Sequence, residues 1–410
     1  MSRIPSVRPP EWAPPKVPTR EYKISVVTPM FGGGAKAKTV DADYPIRAAA
    51  IRGALRFWWR TVYGGSYRTS AALFAAEEKL WGSMNVPGRI ALTVTLLHKG
   101  DVTIWAEYEQ DPNDRKKFKF KQRRDFPLYA VFPFKGRAEH GKIEELPASA
   151  QVGVEFSLIV SADDASLAEA EAAVHAWLLF GGVGSRTRRG CGSLKLDDGL
   201  PSINNLTMRP ASHLIPGLAG SQLAQEGVVA DATTAWKNSV KLYNDFRQKE
   251  DFARNRGQES NRPGRSRWPE PDAIRRLTGR FAPQHAPKHA VENGFPRADL
   301  GLPIVFHFQG GGDPQDAILQ GAPGKSRMAS PVITKAVQCK DGFLPTLLIL
   351  NAPHVWEGTK VEILGRPIGR ESIELTPAER GKVQPLNGDD VRAALLNYAE
   401  SNGWKRSMLS

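Results

Sequence analysis

The chain has 410 residues and a formal net charge of +13. This length exceeds one ordinary hydrophobic core and predicts two domains, and the positive charge favours a partner that carries phosphates. No apolar run approaches the roughly 20 residues of a membrane-spanning helix, and the two cysteines form neither a disulfide framework nor a zinc set, which predicts a cytoplasmic protein.

The N-terminal region predicts an arm, a strand and a turn. Residues 1–20 are Pro-rich and basic, without the apolar core of a secretory signal, and predict an extended arm. Residues 22–28 alternate and contain β-branched side chains, so they predict a first strand that ends at Pro29. The glycine run at residues 32–34 predicts a turn.

Residues 47–60 predict a helix with two different stripes. Its apolar stripe consists of Ile51, Leu55, Trp58 and Val62. Its basic stripe consists of Arg52, Arg56 and Arg60, at strict i, i+4 spacing. Like charges at this spacing destabilise a helix by roughly 0.2–0.5 kcal/mol per pair, and no acidic residue lies between Asp43 and Glu77 in the sequence. A polyanion along this face would supply the missing charge, with Trp59 beside it to stack or pack.

The rest of the first half predicts further strands and one more helix. The predicted strands are residues 90–97, 128–134 and 152–160. Residues 166–180 predict an amphipathic helix that ends at Gly181 and Gly182. This order of strands and helices is an α+β pattern compatible with a ferredoxin-like sheet that carries large insertions.

A glycine- and arginine-rich loop follows that helix at residues 180–193. Its glycine spacing fails the dinucleotide-binding fingerprint, because Thr187 stands where the third glycine belongs, and it has no Gly-Lys-Ser/Thr of a P-loop. What remains is a loop whose backbone amides and arginines could approach a phosphate backbone. A merely flexible connector is the alternative.

After a break at residues 201–216, the second half repeats this pattern of strands and helices less clearly. Residues 233–248 predict a helix, and residues 303–308, 332–337 and 346–350 predict strands. Asp389 is the expected N-cap of a terminal helix that ends near Asn402. A basic insertion around 245–300 includes residues 245–280, which predict a loop or a disordered segment.

The motifs together resemble the RAMP superfamily, the repeat-associated subunits of CRISPR effectors. The resemblance is carried by Thr28-Pro29-x-Phe31-Gly-Gly, by Ile51-Arg52-Gly53-x-Leu55-Arg56-Phe57-Trp58-Trp59-Arg60, by Leu80-Trp81-Gly82-Ser83 and by the glycine loop. More narrowly, it resembles the two-RAMP-domain head subunits of type III-B (Cmr) complexes. A weaker match in the second half consists of Gly301–Ile304 and Arg327–Val332.

The resemblance implies an α+β protein of two ferredoxin-like (RRM-like) RAMP domains, here expected at residues 21–205 and 206–410. It implies that the chain holds guide RNA, target RNA or both near the guide 3′ end. Its partners would be that RNA and other subunits of the effector complex. It implies no nuclease chemistry, and no cofactor or metal is expected.

The RNA-binding residues expected from both motifs are Arg47, Arg52, Arg56, Trp59, Arg60, Gly182, Gly184, Ser185, Arg186, Arg188 and Arg189. The alternative for the helix arginines is a set of salt bridges to acids such as Glu77, Glu78 or Asp43. Two interpretations of Trp59 remain open: it lies at the edge of the core, or it is a stacking platform for a base, which requires an exposed ring.

Other functions remain open at the level of sequence. A RAMP-type endoribonuclease would usually place a histidine near the first strand or helix, but no histidine precedes His98. A purely structural clamp would use the basic face to hold an acidic protein. The basic run at residues 113–124 could be a solvated hairpin face or an RNA contact. His285 and His289 are separated by Pro287, which argues against one helix presenting a metal pair.

Overall fold

A computed structural model describes residues 17–34, 36, 38–203, 208–209, 215–257, 264–308, 310–323 and 326–410 of the chain. Most of the expected N-terminal arm, the boundary between residues 205 and 206, and part of the basic insertion lie outside these residues. In the described part of the chain, each helix is too short or too polar to cross a membrane.

The strands, in chain order, are β1 Thr19–Val26, β2 Ala91–His98, β3 Asp101–Thr103, β4 Ala106–Asp111, β5 Asp114–Gln122, β6 Arg137–Glu139, β7 Lys142–Glu145, β8 Ala150–Val152, β9 Glu155–Ser161, β10 Leu194–Leu196, β11 Gly217–Gln225, β12 Ile304–Phe306, β13 Ala317–Gly321, β14 Val332–Cys339, β15 Gly342–Asn351, β16 Val361–Ile363, β17 Arg366–Ile368 and β18 Lys405–Met408. The α-helices are α1 Ala48–Tyr63, α2 Ser70–Trp81, α3 Leu128–Val131, α4 Asp164–Phe180, α5 Ala232–Gln248, α6 Glu270–Thr278, α7 Val355–Gly358, α8 Arg370–Ile373, α9 Pro377–Arg380 and α10 Val391–Ser401.

The first sheet has the strand order β10-β1-β9-β2, and the pairs of neighbouring strands are antiparallel. Helix α1 lies between β1 and β2 in the chain, and α4 lies between β9 and β10. Strand, helix, strand, strand, helix and strand in this order form a ferredoxin-like unit. Between β2 and β9, the chain inserts β3 to β8, which include the antiparallel hairpins β4–β5 and β6–β7.

The second sheet repeats the same plan with the order β14-β15-β11-β18. Helix α5 follows β11, and α10 precedes β18. The predicted α+β class with two ferredoxin-like units is therefore confirmed. A further antiparallel sheet, β12-β13-β16-β17, is built from two insertions into the second unit. The exact division of the chain near residue 205 stays a prediction.

Helices α1 and α4 lie between the two sheets. Ile333 and Val337 on one face of β14, and Leu348 and Leu350 on β15, belong to the same hydrophobic core as the buried residues of α1 and α4. The alternate residues of these strands, such as Leu347 and Ile349, pack with α5 and α10 instead. Among the described residues, the second sheet is thus covered on both faces and offers no open RRM-like face to RNA.

Three of the expected elements differ from the structure. Residues 128–134, expected as a strand, form α3 and a 3-10 turn at Phe132–Phe134, since Pro133 has no amide hydrogen for a strand ladder. Part of the expected loop at 245–280 is helix α6, which carries acids in its first turn and basic residues in its last turn, as the helix dipole favours. Asp390, not Asp389, caps α10 by accepting bonds from two backbone amides.

Candidate functional site

Two of the three arginines in the basic stripe of α1 pair with an acid of the same fold. Glu77 of α2 is only 3% exposed, and its carboxylate accepts hydrogen bonds from Arg60 Nη1 at 2.6 and 2.7 Å. Arg56 Nε also donates to this carboxylate. The expectation of uncompensated charge is therefore wrong for Arg56 and Arg60, and the alternative of a salt bridge to Glu77 is confirmed for them, because α2 folds back onto α1.

The stripe also binds the C-terminal end of α2. Arg52 Nη1 donates to the carbonyls of Trp81 at 2.9 Å and Ile90 at 3.2 Å, and Arg56 Nη1 donates to the Gly82 carbonyl at 3.1 Å. Carbonyls at a helix end lack partners within the helix and attract positive charge. Arg52 and Arg56 therefore hold the Leu80–Ser83 motif in place, which explains why the two motifs occur together in this chain.

Trp59 lies in the core and not on a surface. Its side chain is 1% exposed, and its indole Nε1 donates to Glu169 Oε2 at 2.7 Å. The stacking-platform interpretation is wrong, because a base needs an exposed ring face. Phe57 and Tyr63 are the half-buried aromatic residues of this helix.

The N-terminus of α1 is open. Arg47 occupies the N-cap position in an extended conformation, makes no side-chain cap, and no acidic residue follows in the first turn. The Arg47 guanidinium pairs with Asp41 at 2.5 Å, and the Arg47 side chain is exposed. Unpaired amides and the positive end of the helix dipole make such an end favourable for an anion.

The glycine loop lies next to this helix end. Gly184 has φ +78° and is exposed, and a Cβ there would come 2.6 Å from the Phe31 carbonyl oxygen. Ser185 donates its amide to that same carbonyl at 2.7 Å. A Cβ at Gly32 would come 2.4 Å from Ser185 Oγ, and one at Gly33 would lie 3.8 Å from the Pro45 carbonyl. The two glycine segments and the entry to α1 therefore share one surface.

Several amides of the glycine loop have no protein acceptor among the described residues, including those of Gly182, Gly184 and Arg188. The amides of Val183 and Ser185, next to the two glycines, are bonded to the Gly192 and Phe31 carbonyls. Residues 182–185 are thus held at alternate positions, and the two intervening amides have no protein acceptor in the described ranges.

The three arginines of the loop lack acidic partners. Arg186 donates to the carbonyls of Ala130 at 3.0 Å and Tyr129 at 3.2 Å. Arg188 donates to the Ser330 carbonyl and lies 5.2 Å from the centre of the Phe57 ring. No ion pair joins any loop arginine to a carboxylate in the described part of the chain.

The third arginine of the loop makes contacts of the same kind. Arg189 donates to the Val332 carbonyl at 2.7 Å and lies 4.5 Å from the centre of the Tyr243 ring. Burial, together with the charge of Arg189, lowers the pKa of Arg188 to about 10. The pKa of Arg186 is lowered by the same two causes. This cluster, Arg186, Arg188 and Arg189, is a concentration of positive charge that a bound anion would stabilise.

The second half supplies the other side of this surface. The Arg327–Val332 motif reaches the loop through the Ser330 and Val332 carbonyls. Trp236 Nε1 donates to the Arg189 carbonyl at 2.6 Å, and Lys335 Nζ donates to the Gly181 carbonyl. Neither Trp236 nor Lys335 was predicted from the sequence. The only sequence signal for Lys335 was a lysine in the middle of an apolar strand.

The remaining candidates are explained by local pairing. Four cations of the basic run in the β4–β5 hairpin pair with acids: Lys117 with Asp114, Lys119 with Asp111, Lys121 with Glu109, and Arg123 with Glu107 and Glu109. His285 pairs with Asp313, whereas His289 Nδ1 accepts from the Val291 amide, so these two histidines do not share a site. Within the described ranges, Glu139, His140 and Glu144 form the group that could hold a metal ion, and all three are exposed.

The comparisons with known proteins agree with the resemblance predicted from the motifs. Residues 23–195 match the model of the RAMP superfamily. The CRISPR system Cmr subunit Cmr1-2 of Pyrococcus furiosus is 27% identical over 185 residues, which cover 43% of this chain and 93% of the relative. The resemblance to RAMP subunits of the Cmr type is confirmed.

Two solved structures are also similar. The crystal structure of Cmr1 from Pyrococcus furiosus, in its apo form, has a TM-score of 0.44 and 17% identity, and the alignment covers 81% of this chain and 87% of that chain. A cryo-EM structure of the type III-B Cmr-beta complex bound to cognate target RNA and AMPPnP has a TM-score of 0.44 and 12% identity, with 94% and 100% coverage.

Proposed function

We propose that this chain, whose residues 23–195 belong to the RAMP superfamily, is a non-catalytic RNA-binding subunit of a type III-B CRISPR effector complex in the cytoplasm. Its RNA would be the guide, the target or both, near the guide 3′ end, and its protein partners would be other subunits of the complex. The relationship to the Cmr1-2 subunit supports the assignment to such a complex.

The observation that carries RNA binding is the uncompensated arginine cluster beside the open glycine loop. Arg186, Arg188 and Arg189 bond to carbonyls, and none forms an ion pair with an acid in the described ranges. Arg188 and Arg189 also lie over aromatic rings. An RNA phosphate would supply the missing negative charge. The free amides of Gly182 and Gly184 would contribute hydrogen bonds of the kind that position a nucleic acid without reading its sequence.

The proposed surface differs from the one expected from sequence. It consists of Gly32–Gly34, the exposed Arg47 with the N-terminus of α1, and residues 182–189, and it does not include Trp59, Arg56 or Arg60. Those three side chains are committed to Glu169 and Glu77. Arg52 has no acidic partner in the described ranges and donates to two carbonyls, but these lie at and just after the end of α2 and not in the glycine loop. Sequence recognition would fall to base pairing with the guide, as in other RNA-guided systems.

The direct test is RNA binding by the purified chain. Fluorescence anisotropy of a labelled single-stranded RNA across a potassium chloride series should show an affinity that falls steeply with salt, because phosphate contacts release counterions. The RNA should remain intact on a denaturing gel, with and without EDTA. An absence of salt-dependent binding would contradict the proposal.

A structural clamp is the second candidate, and the internal pairing of the α1 arginines favours it. In that case, the positive surface would bind an acidic protein, and the isolated chain would bind RNA no better than a protein of similar charge. Cleavage products that persist in EDTA would instead support an endoribonuclease, for which the described His–Asp pairs, such as His354 with Asp299 at 2.8 Å, are the available groups.

A further inference from the structure

Lys335 is a fully buried lysine in strand β14. Its side chain is 0% exposed, and it lies on the strand face shared with Ile333 and Val337, which packs against the first half. Its ammonium donates to the Gly181 carbonyl. No carboxylate pairs with it in the described part of the chain, so a carbonyl in the other half of the molecule is its partner.

The acceptor of this bond stands where α4 becomes the glycine loop. Gly181 ends α4, and its amide bonds the Trp177 carbonyl at 2.7 Å. A Cβ at Gly182 would lie 3.2 Å from Lys335 Nζ and 2.6 Å from the Gly192 carbonyl oxygen. The ammonium therefore lies directly against the first two residues of the loop.

A lysine at this position is energetically unfavourable for the fold alone. Burial disfavours the charged form and lowers the pKa of Lys335 to about 7. The neighbouring titratable group is the Cys191 thiol, whose pKa burial raises to about 12, so it stays neutral and gives no compensating charge. Replacement of a buried charge by an apolar side chain of similar size is often neutral or stabilising.

We propose that Lys335 is a positioning residue of the RNA-binding surface, through which the second half of the chain fixes the conformation of the glycine loop in the first half. It holds the Gly181 carbonyl so that the Gly182 and Gly184 amides face the approaching phosphates. Further along the same segment, the Val332 and Ser330 carbonyls orient Arg189 and Arg188. This inference rests on the proposed function, because the ordered loop is assigned to RNA binding. Whether Lys335 orders the loop can be measured independently of RNA.

The test compares Lys335→Met and Lys335→Arg with a control, Val337→Ala, which changes a buried residue on the same face of the same strand. Hydrogen–deuterium exchange should be faster in the peptide that covers residues 181–193 in Lys335→Met, although the thermal midpoint of this variant is equal to or above that of the wild type. Val337→Ala should lower the midpoint and leave exchange in the loop unchanged. Lys335→Arg should keep most of the protection.

RNA affinity in the same variants tests whether the contact between Lys335 and Gly181 supports RNA binding. Lys335→Met should bind single-stranded RNA about tenfold more weakly, and Val337→Ala should bind like the wild type. Wild-type exchange rates in the loop of Lys335→Met would overturn the inference, as would a loosened loop with unchanged RNA affinity. Wild-type protein that binds no RNA would remove the proposed function, and the exchange comparison would still decide whether Lys335 orders the loop.

Discussion

Glu77 and Arg60 form a two-point ion pair, in which Arg60 Nη1 lies 2.6 Å from Oε1 and 2.7 Å from Oε2 of the carboxylate. Arg56 donates to the same carboxylate. A motif that suggests an RNA-binding stripe is therefore a link between α1 and α2. The positive charge that we propose for RNA binding lies instead at the glycine loop, where the arginines have no acidic partner in the described residues.

Glu77→Gln should destabilise the fold. The substitution leaves Arg56 and Arg60 without a counter-charge beside a buried site, and we expect a loss of about 2–3 kcal/mol, moderated because both arginines are partly exposed. Urea unfolding gives the value. Glu78→Gln, one position along α2, is the control and should change stability little. Equal stability of Glu77→Gln and the wild type would show that the ion pair does not hold the helices together.

Trp59→Phe should lower stability without weakening RNA binding. The indole is buried and donates to Glu169 at 2.7 Å, so the smaller ring loses both packing and a hydrogen bond, at about 1–2 kcal/mol. The two measurements are the thermal midpoint and the anisotropy of labelled RNA at a temperature where the variant is folded. A marked loss of affinity with normal stability would restore the stacking interpretation.

Two glycines of the first half should respond in opposite ways to alanine. At Gly53, in the middle of α1, an added Cβ meets no atom within 4 Å, so Gly53→Ala should stabilise the protein by about 0.5–1 kcal/mol through better helix propensity. Denaturant unfolding measures this gain. A loss of RNA affinity in the stabilised variant would place α1 itself against the RNA.

Gly184→Ala should disturb the glycine loop. The positive φ of +78° and the 2.6 Å approach to the Phe31 carbonyl both oppose a side chain, so the loop must move and RNA affinity should fall. Gly53→Ala is its matched control for the addition of one methyl group. Unchanged affinity in Gly184→Ala would exclude the loop from the RNA contact.

Stability should rise with pH above neutrality because of Lys335. The pKa of Lys335 is about 7 in the folded chain, whereas the ordinary value of 10.5 applies to the unfolded chain. Between these two pH values the lysine is therefore protonated in the unfolded chain and neutral in the folded chain. Stability then increases as pH rises from about 7 toward 10.5, by at most about 1.4 kcal/mol per pH unit.

Urea midpoints at pH 7 and pH 9 measure this dependence. The Cys191 thiol stays protonated in the folded chain because burial raises its pKa from 9.0 to about 12, so its ionisation in the unfolded chain opposes the increase only near pH 9 and above. Lys335→Met should lose most of the increase. An equal pH dependence in the variant and the wild type would assign the effect to other groups.

The sequence predicted the strand and helix order because the signals were local. The alternation in β1, the stripes of α1 and the alanine-rich α4 each identify their own element, and their order is that of a ferredoxin-like unit. Residues 128–134 were mistaken for a strand because the apolar side chains were given more weight than Pro133. That segment is helical and packs its Val131 and Phe134 into a core with Phe31.

The partners of the charged side chains could not be predicted in the same way. Glu77 meets Arg60 only because α2 folds back on α1, and Lys335 meets Gly181 across the junction of the two halves, 154 residues apart in sequence. Spacing in the sequence identified the arginines, but the identity of their acceptors depends on tertiary packing. The closed face of the second sheet is likewise a consequence of how α1 and α4 pack between the sheets.

The most direct test of the account is the salt dependence of RNA binding in two triple variants of equal charge change. Arg186→Gln/Arg188→Gln/Arg189→Gln removes the loop cluster, and Lys117→Gln/Lys119→Gln/Lys121→Gln removes three lysines of the β4–β5 hairpin that pair with acids. We predict that the loop variant binds RNA more weakly and with a shallower salt dependence, while the hairpin variant binds like the wild type. Equal effects of the two variants, or normal binding by a folded loop variant, would contradict this prediction.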